Sequence, residues 1–369
     1  MMKHTFTKAL FAGLLILGTG WTQQAKAQLF DFSNVLQGSL NDMNKYLGAY
    51  MEPLGDGLAV GLNNGWYNTA APHNTLGFDL TTTINMVMVP QELSTFMVSD
   101  LELQQFTTTA TELPNIFGGS ANGAQFVLQE NVNGTDYTLA TIDALSGARS
   151  IGGQIPGWQP DVKNLPVPVP TVNLGIGLIK NTDLIIRFLG TRPMPDRDFT
   201  VQMWGVGLKH DIKQWIPGMK LLPFSLSGLI GYTRTNFDVP LGQGNGSITD
   251  PRMALTGNSL TYQVLVSKKL LFFTPYAGVG VNTASSKLSM SGQYEFTTYS
   301  YDENAGMPVE SVQTVDLEQE LDAIGYGAGG VRATIGARIK LGILTFHGDY
   351  TINSSGYNVA AGGIGLAFR

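Results

Sequence analysis

Residues 331–340 read VRATIGARIK. Val331, Ala333, Ile335, Ala337 and Ile339 alternate with a second row that carries Arg332, Arg338 and Lys340. In a strand, successive side chains point to opposite faces, so one face here is apolar and the other holds three cations. A basic nucleic-acid patch, a surface strand and a buried strand with one wet side all fit that pattern. Composition and the neighbouring segments separate them.

The chain has 369 residues and a formal net charge of −6, so the three cations belong to no broad basic face. Nucleic-acid binders are usually basic, and that class is set aside. Charged residues make up 14%, against roughly 25% in soluble domains. Glycine is abundant, at 45 residues, where usage of about 7% is ordinary. Low charge with much glycine suits a chain whose surface is not all in water. The absence of cysteine excludes disulfides, zinc–thiolate sites and a thiol nucleophile.

The N-terminus reads as an export signal. Lys3 and Lys8 precede the apolar run ALFAGLLILG (9–18), and Ala25-Lys26-Ala27 gives an A-x-A cleavage site. No apolar run reaches the roughly 20 residues of a spanning helix. The expected organisation is a signal peptide over 1–27, an N-terminal helix and plug-like segment over 28–74, and a β-domain over 75–369. Residues 33–52 place Leu36, Leu40, Met43, Leu47 and Tyr50 on one stripe, with Ser33 as N-cap and Pro53 after the end.

From about residue 75 the period changes to two. TVNLGIGLIK (171–180) sets Val172, Leu174, Ile176 and Leu178 against Asn173, Gly175 and Gly177; LTYQVLVS (260–267), PYAGVGVN (275–282) and LTFHGDYTI (344–352) repeat the division. QFVLQE (125–130) and DYTLATI (136–142) read as short strands around Asn133-Gly134. Residues 151–170 read as a loop, because proline is kept out of central strands. A series of strands with one apolar and one polar, glycine-rich face predicts an all-β transmembrane antiparallel barrel, lipid outside and polar within. Backbone groups in hydrocarbon need partners, so the sheet must close. Short turns at 180–181, 268–270 and 340–342 fall on one side, as does 210–222, and longer loops at 236–256 and 285–326 on the other. Nine strands follow residue 169, and an odd number precedes it. The expectation is about 12 strands, within 10–14.

The segments GWYNTAAPH (65–73), TVNLGIGLIKNTDLIIRF (171–188), KHDIKQWIPGMKLLPF (209–224) and the closing VRATIGARIKLGILTFHGDYT…GGIGLAFR resemble an uncharacterised outer-membrane β-barrel family of Gram-negative bacteria. More distantly the chain is similar to the long-chain fatty-acid transporter type of barrel. That resemblance implies an N-terminal plug and passage of small apolar molecules through the lumen or a lateral opening. Where that plug has Asn-Pro-Ala, this chain has Asn68-Thr69-Ala70, then Pro72.

The candidate lumen residues are Asp183, Arg187, Arg332, Arg338, Lys340, His347 and Asp349, read either as a selectivity ring or as charges that pair and stiffen the wall. A 331–341/343–352 hairpin would set Arg338 opposite Thr345 and Arg332 near Asp349. His73, His210 and His347 lack metal-ligand spacing, so no metal and no cofactor are expected. His347 and Asp349 share a face and could touch, but no G-x-S-x-G elbow accompanies them, and no enzyme is expected. The GIG, GVG and GAGG runs lack the Lys-Ser/Thr of a phosphate loop. Trp66, Trp158, Trp204 and Trp215 suit interfacial girdles. The helix is either a gating plug or a periplasmic cover over the barrel mouth. Expected partners are outer-membrane lipid, the barrel-assembly machinery acting on Phe368, and a small apolar solute. The leading function is a passive channel or transporter; the rival is a structural subunit of a secretion or adhesion complex.

Overall fold

The computed structural model describes residues 39–147, 165–190, 200–240, 252–320 and 322–368. The proposed signal peptide, Ser33 and Trp158 lie outside the described residues. A helix, α1 (Leu40–Leu62), precedes ten barrel strands. These are β1 (Phe78–Val89), β2 (Leu165–Leu178), β3 (Thr182–Gly190), β4 (Thr200–Asp211) and β5 (Ser225–Pro240). β6 (Arg252–Ser267), β7 (Phe273–Ser291), β8 (Ile324–Leu341), β9 (Leu344–Asn353) and β10 (Asn358–Phe368) complete the set. Consecutive strands pair antiparallel, and β1 pairs with β10 to close the barrel.

The strand number is therefore 10, below the central expectation of 12. The nine strands after residue 169 all exist; the region before them adds one, not three. The 125–132 and 135–143 hairpin forms as expected, with Asn133 and Gly134 at φ 54° and 84°, but it sits in a small separate sheet with Phe106–Thr107. Its alternation comes from packing on that outer subdomain, where Phe126 and Leu128 are buried.

The faces fall as the alternation requires. Ile335 is 70% exposed and Arg332 only 2%. The hairpin register differs by two residues from the expected one. Leu341 pairs with Leu344 around a two-residue turn with Gly342 at φ 61°, so Arg338 faces His347, Lys340 faces Thr345 and Arg332 faces Asn353. A shift of two preserves which face each residue occupies. Strands β5 to β8 run 16 to 19 residues, beyond the 9–11 needed to cross a bilayer. They project past it and shorten the loops expected at 236–256 and 285–326.

At the Phe78–Phe368 end the connections after β2, β6 and β8 are short turns and the one after β4, 212–224, is longer; the segments 90–164 and 292–323, longer still, leave from the opposite end. α1 begins at that long-loop end, where Lys45 and Tyr50 bond to Glu102 and Ile116. It descends inside the barrel, packing on β1, β2, β6, β7 and β8. Residues 63–73 continue down to Asp183 near the short-turn end. The helix thus lies within the lumen, packed along the barrel wall and not across one mouth. It also starts at Ser39, whose hydroxyl accepts the Asp42 N–H, and continues through Pro53 to Leu62. An interior proline costs about 3 kcal/mol. The surrounding sleeve outweighs that: Val87, Val169, Leu255 and Leu288 line its apolar wall, and at Gly61 an added Cβ would come 2.5 Å from Val169. Gly57–Leu62 are apolar on every side and so must be buried, and here the barrel interior buries them.

Residues 165–170 also depart from expectation. Pro166, Pro168 and Pro170 lie inside β2, opposite Met88, Met86 and Ile84 of β1. Gly177 of β2 exchanges hydrogen bonds with Leu76 and Gly77 on the β1 side. Odd-numbered residues of β2 therefore bond toward β1, and the even-numbered prolines present their N–H-less nitrogens toward β3. The β2–β3 ladder ends at Asn173–Arg187. Proline is tolerated there because its missing N–H lies off the β1 ladder, and among the described residues no β3 ladder runs beside it.

Candidate functional site: the plugged lumen

The lumen has two zones. The half toward the long loops is apolar and grips α1. The half toward the short turns is polar and grips residues 63–73.

Two arginines join the zones. Arg187 of β3 donates Nη1 to the Leu62 carbonyl at 2.6 Å and Nη2 to the Asn64 carbonyl at 2.7 Å. Its other donors reach Asn173 Oδ1 and Thr233 Oγ1. Arg332 of β8 donates to the Asn63 carbonyl at 2.8 Å and to Asn64 Oδ1. A helix ends with unpaired carbonyls and a partial negative charge. Two guanidiniums, each with donors in a fixed fork, meet both needs at the end of α1. Arg187 also lies 3.8 Å over the Trp66 ring, a cation–π contact.

Trp66 explains much of the glycine. An added Cβ would come within 3.2 Å of its ring at Gly205, 2.9 Å at Gly207 and 2.6 Å at Gly231. At Gly207 and Gly231 the indole occupies the space; at Gly205 the Tyr232 carbonyl, 2.5 Å from the added Cβ, is closer still. Tyr67 uses Gly278 in the same way and donates to Gln263.

Below, Asp183 is the hub. It accepts the His73 backbone N–H at 2.8 Å, lies 3.0 Å from His73 Nδ1 and pairs with Lys209 at 3.0 Å. Lys209 also donates to the Thr69 carbonyl, and Ser227 to that of Ala70. A cavity of only about 20 Å³ remains beside Trp66, His73 and His347, near the size of a single water.

The seven candidate lumen residues all lie on the inward face, but they form no common ring. Arg187 and Arg332 hold α1, and Asp183 holds residue 73. Arg338 and His347 are cross-strand neighbours. Lys340 reaches the Ala367 carbonyl near the short-turn rim. His347 bonds to Thr83, and Asp349 accepts from Tyr276 at 2.8 Å; the two bond to different partners. Lys209, Trp66 and the Leu62–Asn64 carbonyls were not among the candidates. The alternation in TVQMWGVGLKHD would have found Lys209. Trp66 is inside, not in a girdle, whereas Trp204 and Trp215 are exposed.

At the other end Asp42 anchors α1 to the outer subdomain. Its buried carboxylate accepts the N–H groups of Gln104, Gln105 and Phe106 at 2.7–3.0 Å. Asp42→Ala will leave these donors without an acceptor, at about 1–3 kcal/mol each. Hydrogen exchange will show residues 104–106 losing protection while the barrel strands keep theirs; unchanged exchange would refute the anchor.

Ten closed strands around a filled lumen are on hand, and sequence comparison places them. The chain belongs to a family of unknown function, DUF6588, matched over residues 2–368. No curated protein matches it. Among solved structures it is similar to the translocator domain of the autotransporter NalP from Neisseria meningitidis: 11% identity, TM-score 0.30, 80% of this chain and 90% of that one. It is also similar to Ail, the attachment invasion locus protein of Yersinia pestis (7%, 0.26, 79% and 97%). A third is the toluene transporter TodX of Pseudomonas putida (12%, 0.28, 92% and 77%). This DUF6588 chain is an outer-membrane type of barrel, and that assignment rests on its own closed ladder and lipid-facing apolar band.

Proposed function

We propose that this DUF6588 barrel is an outer-membrane transporter for small apolar molecules, gated by α1 and entered sideways through the β2–β3 seam. The observation that carries the reading is the row Pro166, Pro168 and Pro170 on a barrel-strand edge that has no described ladder beyond Asn173–Arg187. Closed barrels pair every edge to satisfy backbone groups in lipid. Proline has no N–H to satisfy, so along this edge only the carbonyls need partners, and a full ladder cannot zip it shut. With short turns on the periplasmic side, the seam lies in the outer half of the wall. Behind it stand Val167 and Val169, packed against Gly57 and Gly61 of α1. A solute dissolved in the outer leaflet would meet an apolar notch backed by a movable helix. The filled lumen favours this gated route over a permanently open channel. Assembly through the terminal Phe368, stacked on Phe78, is part of the same proposal, as is the absence of catalysis.

The test is uptake of the apolar dye N-phenylnaphthylamine into vesicles holding the purified protein. Uptake will exceed that of protein-free vesicles. It will fall to the protein-free rate when Pro166, Pro168 and Pro170 are all changed to Val, which restores three donors to the seam. Uptake indifferent to that triple change would sink the lateral route. The rival reading, a scaffold subunit, is favoured by the strand Met307–Asp316, exposed along most of its length. Purification with one stoichiometric protein partner, and no dye uptake, would select it.

A further inference from the structure

We infer that the cavity at the long-loop end of α1 is a binding site for a small organic cation, an ammonium or guanidinium compound held between Glu52, Asp56 and Tyr357. This goes beyond the apolar route and does not depend on it.

The cavity measures about 340 Å³ and lies between α1, β8, the β9–β10 turn and the segment after β1. That is the volume of a small-molecule site. Glu52 and Asp56 are one helical turn apart, so both carboxylates face it. Among the described residues neither has an ion-pair partner. The titratable groups around Asp56 are Glu52 on its own helix, Tyr326 on β8 and Tyr357 on the turn. Glu112 is nearby but bonds to Thr95. Among the described residues no cation pairs with Glu52 or Asp56. Glu52 is exposed and Asp56 half-buried; burial, with Glu52 adding repulsion, pushes Asp56 up to about 7.

A second observation points to a ligand. Tyr357 is 4% exposed and lines the cavity, and among the described residues no hydrogen bond reaches its hydroxyl. Asp56 Oδ1 and Ser355 Oγ, also in the lining, have none either. Phe96 and Tyr357 supply aromatic faces, and rings with carboxylates are how proteins hold organic cations. A hard metal ion is a poorer occupant. It takes six to eight oxygens at close range, and among the described residues no group of three acidic or histidine side chains is assembled.

The experiment is calorimetric titration of the detergent-solubilised full chain with putrescine, agmatine, 1-butanol and calcium. Saturable binding of an amine is expected, with no heat from butanol. Affinity will rise between about pH 6 and pH 8, as Asp56 ionises across its raised pKa. Glu52→Gln with Asp56→Asn will weaken binding about tenfold or more, because charge-assisted contacts are lost. Tyr357→Phe will weaken it less. The heat-dependent gel shift of a folded barrel will confirm that each variant is intact. Failure of both amines to bind the parent, equal binding by the double variant, or calcium binding in their place overturns the proposal.

Discussion

Changing Arg187 and Arg332 together to Met will turn a closed barrel into one that conducts ions. Methionine keeps much of the volume but none of the donors. The Leu62, Asn63 and Asn64 carbonyls would then lose their main partners inside the lumen. A hydrogen bond to a charged group contributes about 1.5–3 kcal/mol, and a buried acceptor left alone costs about 1–3. Against these losses stands the relief of two buried cations, which is why removing both is more informative than removing one. The net effect on plug seating is on the order of 5 kcal/mol. The barrel wall should survive, because its ladders do not pass through these side chains. Planar-bilayer recordings will show stepwise current absent from the parent. A double variant that stays folded and as silent as the parent would mean the arginines do not hold the plug.

Alanine at Gly207 and Gly231 will have the second large effect. The added methyls would sit 2.9 Å and 2.6 Å from carbons of the Trp66 ring. That ring is rigid and lies against Arg187, so it has little room to give. Overpacking of this kind costs about 1–3 kcal/mol per site. Trp66→Ala alone removes a buried aromatic, at about 3–5 kcal/mol. The decisive quantity is the coupling. In the Trp66→Ala background, Gly231→Ala should cost almost nothing. Urea titration followed by gel mobility will measure each variant. Additive losses would show that Gly231 is constrained by its own backbone and not by the indole.

The barrel was legible from residues such as Val331, Ile335 and Ile339 set against Arg332 and Arg338. A period of two fixes faces whatever the partner strand is. The Asn133-Gly134 hairpin was legible too, because Asn-Gly adopts the positive φ its turn needs. Strand number was less so: 125–132 and 135–143 alternate like barrel strands, and alternation does not say which sheet a strand joins. The end of α1 was misplaced because Pro53 is a local stop, and only the apolar sleeve outweighs it. The prolines of β2 were read as loop for a related cause. Their tolerance depends on which of their two edges carries a ladder, a fact about the neighbours.

By itself, then, the chain determined which residues face lipid, since pleating is local and acts at every step of the strand. It also determined that seven charged or titratable groups point inward. Only the tertiary structure decided what those groups do. A guanidinium on a strand has no role until something is placed before it. The carbonyls of Leu62 and Asn64 lie more than a hundred residues from Arg187, and no period in the sequence links them. The glycines of β4 and β5 carry the same lesson: their spacing shows a smooth inner face, and Trp66 supplies the reason for it.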